Sequence, residues 1–189
     1  TLNLTALSTK ITVEHSEQIC KLNPQLKLET NYQGELIIMS PTGYETGMNN
    51  AGLIAQFWNL NRQDQLGIVC DSSTGFIFPN GAIRSPDVSW IAQARVAQFS
   101  KEEKAKFLPL TPDFALELMS PSDQLKTTQA KMSEYRDNGV KLAWLINPQQ
   151  QQVEIYRPAK PVEVVNKPSF LSGEEILPGL IIELDFIWQ

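Results

Sequence analysis

The chain has 189 residues, 42% of them hydrophobic, and a formal net charge of −5. This length predicts one α/β domain over residues 1–189, because a chain of this size buries roughly 70% of its unfolded surface in a single core. It has no run near the ~20 apolar residues of a membrane span and no apolar signal-peptide core at its start, so we expect a cytoplasmic protein with no membrane partner. The negative charge argues against a broadly basic nucleic-acid binder.

The histidine and cysteine content excludes several classes of hydrolase. Cys20 and Cys70 show neither CxxC nor Cys/His spacing, which predicts free thiols and no zinc site. A Ser-His-Asp triad or a multi-histidine metal site would depend on His15, the single histidine, around which no partners are spaced.

The first third of the chain predicts a helix, a hairpin and a second helix. A threonine N-cap begins a short peripheral helix from Thr12 to Leu22. Apolar runs at Leu26 to Thr30 and Glu35 to Met39 flank a turn, which is the pattern of a β-hairpin. The following segment, Tyr44 to Asn61, places its large apolar residues at helical intervals and predicts a core helix.

Short strands and one connecting helix are predicted in the middle of the chain. The strands are expected at Gly67 to Cys70, Gly75 to Phe78 and Asp87 to Ile91, separated by turn-forming clusters. Ser100 and Glu103 have the spacing of a capping box, which predicts a short exposed helix to about Phe107.

A β-α-β unit follows. Asp113 to Met119 is an almost continuous apolar run, typical of a buried central strand. Asp123 to Asn138 predicts a helix with Gly139 as its stop, and Lys141 to Ile146 predicts a strand parallel to the first. Further β-type runs end the chain, at Gln152 to Tyr156, Val162 to Val165 and Leu180 to Leu184.

Glu117 is the one charged residue inside that apolar strand. A buried carboxylate costs several kcal/mol unless it is paired or binds a cation. Asp87, which follows Pro86 at the start of another strand, could share one cation with Glu117. Mg²⁺ needs only two or three carboxylates besides waters, and it would polarise a phosphoryl oxygen and generate a hydroxide nucleophile. The alternatives are a salt bridge at Glu117 without chemistry and an Asp87 that simply opens its strand.

A lysine on the crossover helix could stabilise the charge that develops on the phosphate. The apolar face of this helix contains Met132 and Tyr135, and at 100° per residue Lys131 lies roughly 80° from the centre of that face. Lys126 lies roughly 140° away, so we favour Lys131 and keep Lys126 as the alternative.

Four stretches resemble a known family: GELIIMSPTG at 34–43, SPDVSW at 85–90, PDFALELMSPSD at 112–123 and KMSEYRDNGVKLAWLINP at 131–148. The strands with Pro86-Asp87 and Glu117, the crossover helix and the following strand resemble the core of the PD-(D/E)XK, or restriction-endonuclease-like, nuclease superfamily. The four stretches resemble one bacterial family within it, abundant in cyanobacteria, whose members are described as restriction-endonuclease-like proteins of unknown function.

The resemblance implies a fold and a set of site residues. The fold would be a mixed central β-sheet flanked by helices, with an added N-terminal helix and hairpin and added C-terminal strands. Asp87 and Glu117 match the metal-binding acids of a Mg²⁺-dependent DNA endonuclease, in which Mn²⁺ could replace Mg²⁺. An additional acid would be Glu45 as a metal ligand, or Glu35 in an accessory role.

The chain departs from the superfamily pattern at one position. The usual lysine, two residues after the glutamate, is replaced by Met119, and Lys131 matches a lysine that has moved onto the helix. Two other functions therefore stay open: a nuclease-fold binding or regulatory protein without turnover, and a phosphoesterase for small nucleotides. A homodimer would suit cleavage of both DNA strands.

Overall fold

The computed structural model describes residues 11–189. Residues 1–10, from which the absence of a signal peptide was predicted, lie outside this range. The α-helices are α1 Val13–Leu22, α2 Tyr44–Asp64, α3 Gln93–Val96 and α4 Leu125–Asp137. The strands are β1 Lys27–Thr30, β2 Leu36–Met39, β3 Gly67–Asp71, β4 Phe76–Ile77, β5 Ile83–Arg84, β6 Val88–Ala92, β7 Phe114–Leu118, β8 Leu142–Asn147, β9 Gln152–Tyr156, β10 Glu163–Asn166, β11 Phe170–Ser172 and β12 Ile181–Glu183.

The central sheet has six strands in the order β10-β9-β8-β7-β6-β3. β7 and β8 are parallel and are joined by α4, as the β-α-β pattern predicts, whereas the other neighbours are antiparallel. Gly139 follows α4 with a φ of +100°, a left-handed conformation that glycine adopts without strain. The fold is therefore the predicted α/β class, a mixed sheet flanked by helices.

A smaller sheet lies beside the central one, with the strand order β2-β1-β5-β4. β1 and β2 form the predicted antiparallel hairpin, in which Lys27 pairs with Met39 and Thr30 pairs with Leu36. At the other end of the chain, β10 extends the central sheet and β11 pairs with β12 as a separate hairpin. These elements are the N- and C-terminal additions that the sequence predicts.

Hydrophobic clusters cover both faces of the central sheet. On one face, Leu53 and Phe57 of α2 pack against Phe114 and Trp144, and the Phe57 and Phe114 ring centroids lie 5.1 Å apart. On the other face, Met132 and Tyr135 of α4 pack against a second cluster with Phe78. Because β7 and β8 are buried from both sides, every residue of β7 is buried, including Glu117.

One predicted helix is wrong. Both hydrogen bonds of the capping box form between Ser100 and Glu103, but only a 3-10 turn, Glu103–Ala105, follows. The residues from Lys101 to Lys106 are all exposed. A helix this short has no apolar face to pack, and packing supplies most helical stability in proteins. The short elements α3, β5 and β11 were not predicted.

The remaining predictions concern the cysteines, the histidine and the membrane. Cys20 and Cys70 are free, partly buried thiols. The side chain of His15 accepts a hydrogen bond from the Thr12 N–H in the N-terminal cap of α1. Between residues 11 and 189, no helix is both long and apolar enough to cross a bilayer.

Candidate active site

The two predicted metal ligands lie on adjacent interior strands of the central sheet, at the end of the sheet where β6 begins and β7 ends. Val88 pairs with Leu116, so one further step of this antiparallel register places Asp87 opposite Glu117. Side chains opposite each other in an antiparallel pair project from the same face of the sheet. The Leu118 N–H donates a hydrogen bond to Asp87 Oδ2 at 2.9 Å, which fixes this carboxylate next to β7.

The crossover helix brings Lys131 to the same place. Its Nζ lies 3.0 Å from both Oε1 and Oε2 of Glu117. Lys126 lies exposed in the first turn of α4. The structure thus brings Lys131, and not Lys126, to the carboxylates, as the helical spacing predicts; the chemical role of Lys131 is a separate question.

Tyr135 lies one helical turn after Lys131 and is fully buried. Its hydroxyl donates a hydrogen bond to Glu117 Oε1 at 2.6 Å. Lys131 Nζ lies 5.7 Å from the centroid of the same ring, within the range of a cation–π contact. Sequence reasoning placed Tyr135 on the buried face of α4 and did not recognise its hydrogen bond to Glu117.

A further carboxylate, Glu29 of β1, contacts Lys131 and was missed by sequence reasoning. Lys131 Nζ lies 2.9 Å from Glu29 Oε1. The backbone N–H of Ser85 donates to Oε1 at 2.9 Å, and Arg84 Nη1 donates to Oε2 at 3.0 Å. Glu29 is 2% exposed.

The period of two in a strand explains why Glu29 was missed. In Lys27–Thr30, alternation places Leu28 on the inner face and Glu29 on the solvent face. The structure instead buries both, and the Glu29 carboxylate lies against the side chains of Lys131 from α4 and Arg84 from β5. A signal in the sequence would have been the lone acid in a strand next to the predicted turn, which by itself is common on solvent faces.

Burial and charge shift the ionisation of the cluster. Burial raises the pKa of Glu117 to about 7 despite the opposing effect of the Lys131 ammonium, and the carboxylates of Asp87 and Glu29 raise it further. Burial likewise raises the pKa of Asp87. Burial also disfavours the charged form of Glu29, but the ammonium of Lys131 and the guanidinium of Arg84 outweigh it and lower the pKa.

Lys131 is shifted in the opposite sense to a typical buried amine. Burial would lower its pKa, but the Glu117 and Glu29 carboxylates outweigh this effect and raise it. The ammonium therefore stays protonated at neutral pH.

Asp87 and Glu117 suit a hard divalent cation. Their donors are carboxylate oxygens, which Mg²⁺ and Mn²⁺ prefer, and the site contains no thiolate or imidazole that would favour zinc. Both carboxyl groups have raised pKa values, which a bound cation would lower again. Apart from the bond to Oδ2, no hydrogen bond from residues 11–189 reaches the Asp87 side chain, so Oδ1 is available to a ligand.

The predicted additional acids lie elsewhere. Glu45 is exposed in the first turn of α2, and Glu35 accepts a hydrogen bond from Asn31 in the hairpin at 2.6 Å. Over residues 11–189, no three His, Cys, Asp or Glu side chains are arranged to hold one ion together. The structure therefore does not bring Glu45 into a common ligand group with Asp87 and Glu117.

Comparison with known proteins identifies the family of this chain. The Uma2 family model, described as "Putative restriction endonuclease", matches residues 13–185. The chain belongs to the Uma2 family. This match confirms the resemblance to a restriction-endonuclease-like family that the sequence shows.

A solved structure is similar to this Uma2 protein in fold. It is the crystal structure of "a putative nuclease belonging to DUF820" from Anabaena variabilis ATCC 29413, with a TM-score of 0.73 and 17% sequence identity. The similarity covers 85% of the Uma2 chain and 89% of the other. A search of curated proteins finds no match. At this identity the solved structure shows that the two chains share a fold.

Proposed function

We propose that the chain is a DNA endonuclease that hydrolyses phosphodiester bonds with Mg²⁺ or Mn²⁺ held by Asp87 and Glu117. The observation that carries the proposal is the Lys131 ammonium 3.0 Å from Glu117, in a strand pair that places Asp87 opposite Glu117. Family membership supports the reaction class. The substrate and the metal are our inference from the chemistry of these residues.

Each residue has a separate task in this proposal. Asp87 and Glu117 would hold the cation, and the Leu118 N–H keeps the Asp87 carboxylate in place. When bound, the cation supplies Lewis-acid polarisation of the phosphate and a water of lowered pKa. Lys131 stabilises the negative charge that develops on the phosphate. Its raised pKa excludes it as a general base at neutral pH, since the amine is protonated.

The cost of burial supports a cation site here. The carboxyl groups of Asp87 and Glu117, both with raised pKa values, lie side by side at one end of the central sheet, and Glu29 is a third acid nearby. Carboxyl groups with strongly raised pKa values cluster at functional sites of proteins. A divalent ion would compensate the charge of Asp87 and Glu117 while Lys131 remained paired with Glu29.

A second candidate function is a nuclease-fold protein that binds nucleic acid or a protein without turnover. Two observations favour it. Met119, at the position of the usual lysine, is buried in the apolar cluster under α4. Glu117 already accepts hydrogen bonds from Tyr135 and Lys131, which a cation would have to displace or share.

The test is cleavage of supercoiled plasmid, linear duplex and single-stranded DNA by purified protein with Mg²⁺, Mn²⁺ or EDTA. Asp87→Asn and Lys131→Ala are expected to lose about 10²-fold or more of the metal-dependent rate. Lys126→Ala is the matched control, because it removes an exposed lysine from the same helix, and it should cut at the wild-type rate. Asp87→Asn cutting as fast as wild type would refute the proposal.

Two other results would assign the protein differently. Turnover of small nucleotide phosphodiesters without polynucleotide cleavage would indicate a phosphoesterase. Binding of DNA with no cleavage, unaffected by Asp87→Asn, would indicate the second candidate function. For cuts in both strands we propose that two copies of the chain act as a homodimer, which sedimentation of the protein with and without duplex DNA would test.

A further inference from the structure

Lys131 is shared between two carboxylates on different sheets. Its Nζ lies 3.0 Å from Glu117, on the central sheet, and 2.9 Å from Glu29, on the small sheet. The two distances are nearly equal, so the ammonium bridges the sheets. Neither the family description nor the usual arrangement of two acids and a lysine requires a partner on β1.

The Glu29 carboxylate is fixed more firmly than an ordinary ion-pair partner. One oxygen accepts the Ser85 backbone N–H, and the other accepts Arg84 Nη1. Arg84 is itself 5% exposed and donates through Nε to Glu134 Oε2 at 2.6 Å. Because every oxygen and the guanidinium have fixed partners, Glu29 presents a rigid acceptor to the lysine.

A cation on Glu117 would change the position of the lysine. Both Glu117 oxygens contact Lys131 Nζ, so a divalent ion and the ammonium would compete for the same carboxylate. A lysine held only by Glu117 would then lose its partner at the moment when its charge is needed. The contact with Glu29 is independent of Glu117 and remains.

We infer that Glu29 is a positioning residue that holds the Lys131 ammonium in the active site while Glu117 binds the cation. This inference rests on the proposed function and extends it to a residue outside the predicted site. Glu29 does not touch the reacting atoms in this account; it acts through the lysine. Two other roles give different results: Glu29 as a metal ligand, and Glu29 as a purely structural ion pair.

Metal binding in two backgrounds separates positioning from ligation. The dissociation constant for Mn²⁺ is measured by isothermal titration calorimetry for wild type, Glu29→Gln, Lys131→Met and the double variant. Without Glu29, the lysine rests on Glu117 alone and competes with the cation, so Glu29→Gln should weaken Mn²⁺ binding about 3- to 10-fold. With Lys131→Met present, Glu29→Gln should change the affinity by less than twofold. Equal losses in both backgrounds would show that Glu29 is a ligand and overturn the inference.

Cleavage kinetics separate positioning from a structural role. Glu29→Gln should lower the single-turnover rate at saturating Mn²⁺ about 10- to 100-fold, the usual effect of removing a group that orients a catalytic residue. The matched control is Glu134→Gln, which removes another carboxylate from Arg84 but makes no ion pair with Lys131. Glu134→Gln should lower the melting temperature and keep the rate. Rate losses in both variants that follow their melting temperatures would overturn the inference.

The outcomes also distinguish this inference from the proposed function. A lysine-dependent effect of Glu29→Gln on Mn²⁺ affinity without any DNA cleavage would refute the nuclease proposal and keep the positioning role. DNA cleavage by wild type, together with equal effects of Glu29→Gln on Mn²⁺ affinity in the wild-type and Lys131→Met backgrounds, would support the nuclease proposal and refute the positioning role. No Mn²⁺ binding by wild type would refute both. If Glu29→Gln does not fold, Glu29→Asp keeps the charge and withdraws it from the lysine by one methylene, and the same comparisons apply.

Discussion

Glu117→Gln should remove a pH dependence of stability that the wild-type protein carries. Burial raises the pKa of the Glu117 carboxyl from 4.5 to about 7, with the ammonium of Lys131 opposing and the carboxylate of Asp87 adding to the effect. The folded protein therefore holds a proton that the unfolded chain releases near pH 4.5. The unfolding free energy must fall as pH rises between about 4.5 and 7, because the native state binds more protons in that window.

The expected size follows from the same shift. A change of one in pKa corresponds to about 1.4 kcal/mol, so the full effect is about 3 kcal/mol. The side chain of Glu117 is 11% exposed, so solvent screening reduces this value little. Glutamine has a similar shape and does not ionise. The stability of wild type relative to Glu117→Gln should therefore fall by about 3 kcal/mol from the acidic to the neutral end of the window.

The assay is urea unfolding at pH 5, 6, 7 and 8 in EDTA, with Glu35→Gln as the control. Glu35 is exposed in the hairpin, so its variant should follow wild type at every pH. A wild-type stability that does not decline relative to Glu117→Gln as pH rises would refute the reasoning. So would a decline of equal size in the difference between wild type and Glu35→Gln.

Three further predictions concern the surroundings of the site and the fold. Tyr135→Phe removes the 2.6 Å hydrogen bond to a buried carboxylate and should lower the unfolding free energy at pH 8 by about 2 kcal/mol in urea; an unchanged value would contradict the hydrogen bond. Burial opposes ionisation of Asp113, but hydrogen bonds from the Ala92 N–H, Lys141 and Arg95 lower the pKa of its carboxyl. The stability that the Asp113 carboxylate provides is therefore present above about pH 4 and is lost as the pH falls below that value. Asp113→Asn should thus cost about 2–4 kcal/mol at pH 7, and this difference from wild type should shrink in acid unfolding measured towards pH 2; a constant difference would contradict the ion pairs. Gly67→Ala should lower the unfolding free energy by about 3 kcal/mol in thermal unfolding, because a Cβ would lie 2.4 Å from the Ile91 carbonyl oxygen. Gly47→Ala in α2 should instead raise it by about 0.5–1 kcal/mol. Similar melting temperatures for the two variants would contradict the packing.

The long elements could be predicted because their patterns are unambiguous. α4 and the strands around it combine an apolar run, a helical period and a glycine stop, and each signal agrees with the others. Several short elements could not be predicted from the sequence. β5 has two residues, too few for any period, and the capping box at Ser100 lacked an apolar face to hold a helix.

The site could be predicted in part for a similar reason. Glu117 and Asp87 were visible because a charge within an apolar strand, and an acid at a strand start, break a local pattern. Lys131 could be placed because helix geometry fixes its angle to the buried face. Glu29 breaks no local pattern, and its ion pairs with Lys131 of α4 and Arg84 of β5 depend on the tertiary fold. A polar residue with a tertiary partner of this kind leaves no trace in the spacing of its own strand.

The most direct measurement is nicking of supercoiled plasmid by metal-free protein to which Mn²⁺ or Mg²⁺ is returned, with Glu117→Gln and Glu45→Gln prepared in the same way. Glu45 is an exposed acid outside the candidate site, which makes its variant a control for preparation and charge. We expect metal-dependent nicking by wild type and Glu45→Gln, and a loss of about 10²-fold or more in Glu117→Gln. Equal nicking by all three proteins, or none by wild type with either metal, would contradict it.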